Sequence, residues 1–153
     1  SAADSALVLI TGNADVSKGH GWWLNQYRTK APNDFTPAEL QCYLDIVGAL
    51  SMVFDEKTDA STRAKATKVL NSPAKSPANV IFDQQLRGAW LNFANGSVKL
   101  ATPVDTDGNG SKDSTFGAAV FTAESVRINP ASSSAQIKAQ KDIIERVALQ
   151  SGN

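Results

Sequence analysis

Apolar side chains return at intervals of three and four along most of this chain. Leu40, Tyr43, Leu44, Val47, Leu50 and Phe54 mark one face of a buried helix. Thr36-Pro37-Ala38-Glu39 in front of them is a helix start, because Thr36 can cap free amides, Pro37 suits the first turn and Glu39 completes a capping box. Val80, Ile81, Leu86, Trp90 and Phe93 predict the next long helix, opened by Ser76-Pro77 and closed near Asn95-Gly96. A further helix reads over 116–128, with Phe116, Val120, Phe121 and Ala123 among its apolar positions and Asn129-Pro130 as its stop. Ser133, with Gln136 at the reciprocal position, caps a last helix carrying Ile137, Ile143, Ile144 and Val147, after which 150–153 frays.

Shorter elements fill the gaps. Gly19-His20-Gly21 leads into an aromatic-rich helix with Trp22, Trp23, Leu24 and Tyr27. After a polar loop at 55–59, Ser61 caps a short helix over 64–70 that Asn71-Ser72-Pro73 ends. The apolar run 6–10 reads as a first helix, with a strand as the alternative, since so short a run has no decisive period. No stretch alternates as an antiparallel sheet requires, and no repeat recurs at a solenoid spacing. The expected fold is all-α: one compact domain over 1–153, a bundle of five or six helices carrying one acidic loop.

Composition narrows the function classes. The 153 residues are 42% hydrophobic and 20% charged, which suits a globular domain. Fifteen basic residues balance fifteen acidic ones, which argues against nucleic-acid binding and against a polybasic membrane surface. No apolar run reaches the roughly 20 residues of a membrane span, so membrane insertion is not expected. Cys42 is the only cysteine and lies in a helical pattern, where an inert buried thiol is expected. From the opening Ser-Ala-Ala-Asp the expectation is a processed product or one part of a larger multidomain chain.

Candidate chemistry concentrates in Asp-Thr-Asp-Gly-Asn-Gly-Ser-Lys-Asp-Ser-Thr-Phe at 105–116. Oxygen-bearing side chains occupy its first, third, fifth and ninth positions (Asp105, Asp107, Asn109, Asp113), and Gly110 falls at the sixth, where a loop wrapped round an ion turns sharply. Ser111 at the seventh would contribute its backbone carbonyl. Three carboxylates so close repel one another until a cation joins them, and an all-protein oxygen loop suits calcium better than the smaller, stiffly hydrated magnesium. A solvated turn is the alternative, since Asp, Asn, Gly and Ser are also common turn residues.

This loop resembles the calcium loops of EF-hand-like extracellular modules, in particular the loop-helix units of bacterial dockerins and the thrombospondin type 3 loops. The resemblance rests on Asp105, Asp107, Asn109, Gly110 and Asp113 with the helix that follows. It implies a calcium cofactor and a secreted or cell-surface setting. The twelfth position, where such loops carry a bidentate acid, is Phe116, and no second loop is present. Glu124 is the nearest acid in the following helix to stand in for it.

Two other features were candidates for ligand contact. Trp22, Trp23 and Tyr27, together with Trp90, could stack on sugars, with Asn25, Gln26 and Arg28 bonding hydroxyls; a core role fits the spacing on one helix turn better. The opening also resembles Gly-x-Trp-x-x-Gln segments of helical modules appended to large bacterial surface proteins. His20 is the lone histidine and has no partner in sequence for metal binding or base catalysis, and no nucleophile elbow, phosphate loop or dinucleotide fingerprint occurs. The expectation is therefore a non-catalytic, calcium-stabilised accessory or adhesion module with a protein or polysaccharide partner. A carbohydrate-binding accessory domain is the second reading and an enzyme of unrecognised type the third.

Overall fold

A computed structural model of the chain describes residues 16–28, 33–54 and 62–151. The expected element at 6–10 and the polar loop at 55–59 lie outside the described residues. Within them the chain forms α1 (His20–Tyr27), α2 (Pro37–Leu50), α3 (Arg63–Leu70), α4 (Ala78–Asn95), β1 (Pro103–Val104), β2 (Ser114–Thr115), α5 (Phe116–Ile128) and α6 (Ser134–Ala148). The all-α expectation holds, with one two-stranded ribbon added.

The two predicted capping boxes form as chemistry dictates, whereas at the Ser76-Pro77 start Pro77 is the N-cap and no side chain caps the helix. Thr36 Oγ1 accepts from the Glu39 N–H at 3.2 Å while the Glu39 carboxylate accepts from the Thr36 N–H at 2.7 Å. Ser133 and Gln136 make the same reciprocal pair at the head of α6. Gly96, at φ 92°, ends α4 in the left-handed region that a side chain would strain. At α3 the cap is Thr62 and not Ser61: Thr62 takes the extended conformation and its Oγ1 accepts from Lys65 N–H. The α2 helix stops at Leu50, four residues short of Phe54, although Phe54 is buried as its place in the pattern suggested. Ser51 explains the stop, since its hydroxyl accepts from the Val53 and Phe54 amides and so competes with continued helix.

Helix α4 is the axis of the bundle. It is buried nearly all round, from Phe82 to Asn95, which is how a helix enclosed by others reads. Helix α6 packs along one side of it, with α5 against α6, and α1, α2 and α3 cover the rest. Two aromatic nests stand in the core. Trp23 stacks on Phe35 and meets Tyr43 edge-on; Trp90 meets Phe93, Phe116 and Phe121 edge-on. No helix among the described residues is long and apolar enough to cross a membrane.

Candidate metal centre

The acidic loop leaves the core at β1 and returns at β2. Pro103 pairs with Thr115 and Val104 with Ser114, so the ribbon closes the neck of the loop. Two-residue strands carry no alternation, so sequence pattern could not announce them. Phe116, the twelfth loop position, is fully buried, stacked on Phe93 with centroids 6.5 Å apart. The twelfth position thus holds a core anchor, not an oxygen donor.

Above the neck the side chains fold inward. One carboxylate oxygen each from Asp105, Asp107 and Asp113 gather within 4.8 Å of one another, the one such group of three His, Cys, Asp or Glu residues among those described. Asp105 Oδ1 accepts from Gly108 N–H at 2.6 Å and Oδ2 from Gly110 N–H at 2.7 Å. Gly110 has φ 91°, the sharp left-handed turn expected at the sixth position. Asp107 accepts from the backbone and side-chain amides of Asn109, and Asn109 Oδ1 accepts from Ser111 N–H at 2.7 Å. Asp113 is tied across the loop to the N–H and hydroxyl of Thr106.

Hydrogen bonding also sets the charge. Backbone donation, first from Gly110, holds the Asp105 carboxyl below its ordinary range, and the Thr106 hydroxyl and amide do the same for Asp113. A depressed folded pKa gives stability that is complete above the unfolded carboxylate pKa and is lost as pH falls toward the folded one. The melting midpoint of the metal-free protein therefore falls below about pH 4. An Asp105→Asn, Asp113→Asn double variant loses part of that acid sensitivity, read from midpoints across a pH series. An unchanged acid limb in the variant would show that these carboxylates do not drive it.

The tail of α6 grips the same loop. Gln150 Nε2 donates to Asp105 O at 2.7 Å, and its Oε1 accepts from Asp105 N–H at 2.9 Å and from Lys112 Nζ at 2.7 Å. Arg146 donates to Thr106 O. The loop's lysine is thus turned to Gln150 and not in among the carboxylates. Sequence reading expected Gln150 and Ser151 to fray; instead Gln150 holds the first loop residue, and Ser151 Oγ accepts from Ser17 N–H at 2.6 Å. Nothing in the local pattern signals a contact between residues 45 positions apart.

Glu124 does not join the loop. It is completely buried, its carboxyl accepting from Trp90 Nε1 at 2.8 Å, from Met52 N–H at 3.0 Å and from the Ser51 hydroxyl. Helix α5 turns it toward the end of α2, so the stand-in role is corrected: its donors are the core's own.

Three of the four aromatics expected as a platform belong to the core. Trp23 and Trp90 are 0% exposed and Tyr27 is 1% exposed, its hydroxyl donating to Leu40 O at 2.8 Å. Trp22 is only half-buried, yet Lys18 Nζ lies 5.6 Å from its ring centroid. Rings enclosed by the bundle have no face left for a sugar. His20 pairs with Gln85 at 3.1 Å, and Cys42 is half-buried where full burial was expected. Sequence reading missed Asn92, a buried amide on α4 that joins the segment before α1 to the end of α6. No family model, curated protein or solved structure matches this chain.

Proposed function

We propose that this chain is a non-catalytic, calcium-stabilised accessory or adhesion module of a secreted or cell-surface protein, one domain of a longer chain with a protein or polysaccharide partner. One observation carries the reading: three loop carboxylates at the spacing of an ion-wrapping loop converge within 4.8 Å. Oxygens on opposite sides of a calcium ion, at about 2.3–2.6 Å each, stand up to about 5 Å apart, whereas around magnesium the limit is near 4 Å. A bound of 4.8 Å admits either ion, and the choice of calcium rests on the all-protein oxygen loop, which suits it better than the stiffly hydrated magnesium. Asp105, Asp107 and Asp113 would hold it through carboxylates, with Asn109 and the Ser111 carbonyl as further oxygen donors. A core phenylalanine at the twelfth position removes the bidentate ligand and places the affinity in the weak range of about 10⁻⁴–10⁻³ M. Such a site is about half to nine-tenths filled where calcium is near millimolar, outside cells.

Calcium at a hundredfold excess over its dissociation constant adds about 2.7 kcal/mol. For a chain of this length that is a rise of about 5–10 °C in melting midpoint. The test is a thermal melt of metal-stripped protein with calcium, magnesium or chelator. Calcium is expected to raise the midpoint, magnesium to do far less, and Asp107→Ala to abolish the response. Asp107→Ala leaves one loop backbone amide, that of Asn109, without its acceptor, whereas Asp105→Ala leaves two, those of Gly108 and Gly110. Coincident melts in all conditions would reduce the loop to a polar turn and end the calcium reading.

A further inference from the structure

The chain contains two Asn-Gly dipeptides, Asn95-Gly96 and Asn109-Gly110, in opposite surroundings. Glycine lacks the side chain that would shield its own nitrogen, so in such a pair that nitrogen can reach the carboxamide of the residue before it. Asn95 is 4% exposed in the last turn of α4, and the Gly96 N–H is committed to the Phe93 and Asn92 carbonyls. Asn109 and Gly110 are both exposed at the tip of the acidic loop.

We propose that Asn109 is a self-modification site, at which the Gly110 backbone nitrogen cyclises onto the Asn109 carboxamide in the folded protein while Asn95 stays intact. The Gly110 nitrogen forms a bond to Asn109 Cγ, the Cγ–Nδ2 bond breaks, and the amine departs as ammonia carrying the proton that Gly110 gives up. Water then opens the succinimide to aspartate or isoaspartate. Three hydrogen bonds of the folded loop bear on this step. Ser111 N–H donates to Asn109 Oδ1 at 2.7 Å, where charge collects in the tetrahedral intermediate. Gly110 N–H donates to Asp105 Oδ2 at 2.7 Å, and hydroxide of the mildly alkaline buffer takes that proton and returns it, as water, to the leaving amine. The leaving amine is held by Asp107 Oδ2 at 2.9 Å. None of this depends on cation binding, and the product is read by mass alone.

The experiment incubates the full chain, metal-free and folded, in mildly alkaline buffer beside the same chain unfolded in urea. Peptide mass mapping follows the amide-to-acid shift at each asparagine. Unfolded, both sites convert. Folded, Asn109 keeps converting within about tenfold of its unfolded rate, while Asn95, which needs local opening of the helix, slows by about a hundredfold or more. An Asn109→Gln variant loses the shift on the loop peptide, since its longer side chain disfavours the ring. Equal protection of both sites in the folded chain would overturn the proposal, as would a shift that persists in the Asn109→Gln variant.

Discussion

Removing the carboxyl of Glu124, as Glu124→Ala, is expected to destabilise the protein by about 3–5 kcal/mol, the cost of deleting one partner from a buried polar cluster. Three donors converge on that group, and they do not lose equally. Trp90 is fully buried, so its indole N–H has no water to turn to. Ser51 can rotate its hydroxyl elsewhere, and Met52, 46% exposed, can hydrate its amide. The cavity left under α2 adds to the loss. Glu124→Gln keeps the volume but offers one acceptor in place of two and points an amide toward donors, so it too is destabilising. Urea unfolding of the metal-free protein measures both. The same variants separate two roles. A loop ligand at this position would lose the calcium response with little change in metal-free stability. A core role lowers metal-free stability and leaves the calcium-induced rise in midpoint intact in whatever protein still folds.

The parts of the fold legible in sequence were those written locally. Thr36 with Glu39 and Ser133 with Gln136 announce their helices because cap and partner stand three residues apart. The helix Phe116–Ile128 was readable from its apolar spacing and the proline beyond it. The acidic cluster was readable for the same reason, since its carboxylates and its turning glycine fall within nine residues. What sequence could not convey were the long-range polar contacts. Glu124 on an apolar helix looks like a spare acid until α5 sets it against Ser51 and Trp90, 73 and 34 residues away. Gln150 looks like a fraying end until the tail of α6 reaches Asp105. Ser61 reads as the cap in sequence, and only the extended backbone and bonded hydroxyl of Thr62 reveal that the cap stands one residue later. Trp23, Tyr27 and Trp90 have the same ambiguity, because an aromatic face suits a sugar or a core and the surrounding helices choose.

Asn92 is the second position where one substitution is expected to cost about 3–5 kcal/mol. Its side chain is fully buried and fully satisfied: Oδ1 accepts from Lys18 N–H and Trp23 Nε1, both at 2.9 Å, and Nδ2 donates to Lys18 O and Ala148 O, both at 2.8 Å. Asn92→Leu keeps the size and strands two donors and two acceptors. Lys18 is half-buried and recovers part of its bonding from water, but the Trp23 indole N–H and the Ala148 carbonyl cannot. Asn92→Asp keeps both acceptor contacts and turns an oxygen toward two carbonyls, so it is no gentler. The consequence reaches the loop. Ala148 ends α6 just before Gln150, the residue that clamps the backbone of Asp105, and Ser17, beside Lys18, donates to Gln150 O at 2.8 Å. Freeing Ala148 and Lys18 loosens that clamp from both sides. A loop that must be ordered before it binds has its apparent affinity lowered by the fraction already in order. Calcium titration of Asn92→Leu by melting midpoint is therefore expected to need more calcium for the same rise, although the substitution touches no loop residue. If its metal-free stability falls while the calcium midpoint concentration stays at the wild-type value, Asn92 braces the bundle alone and the α6 tail is not what holds the loop in order.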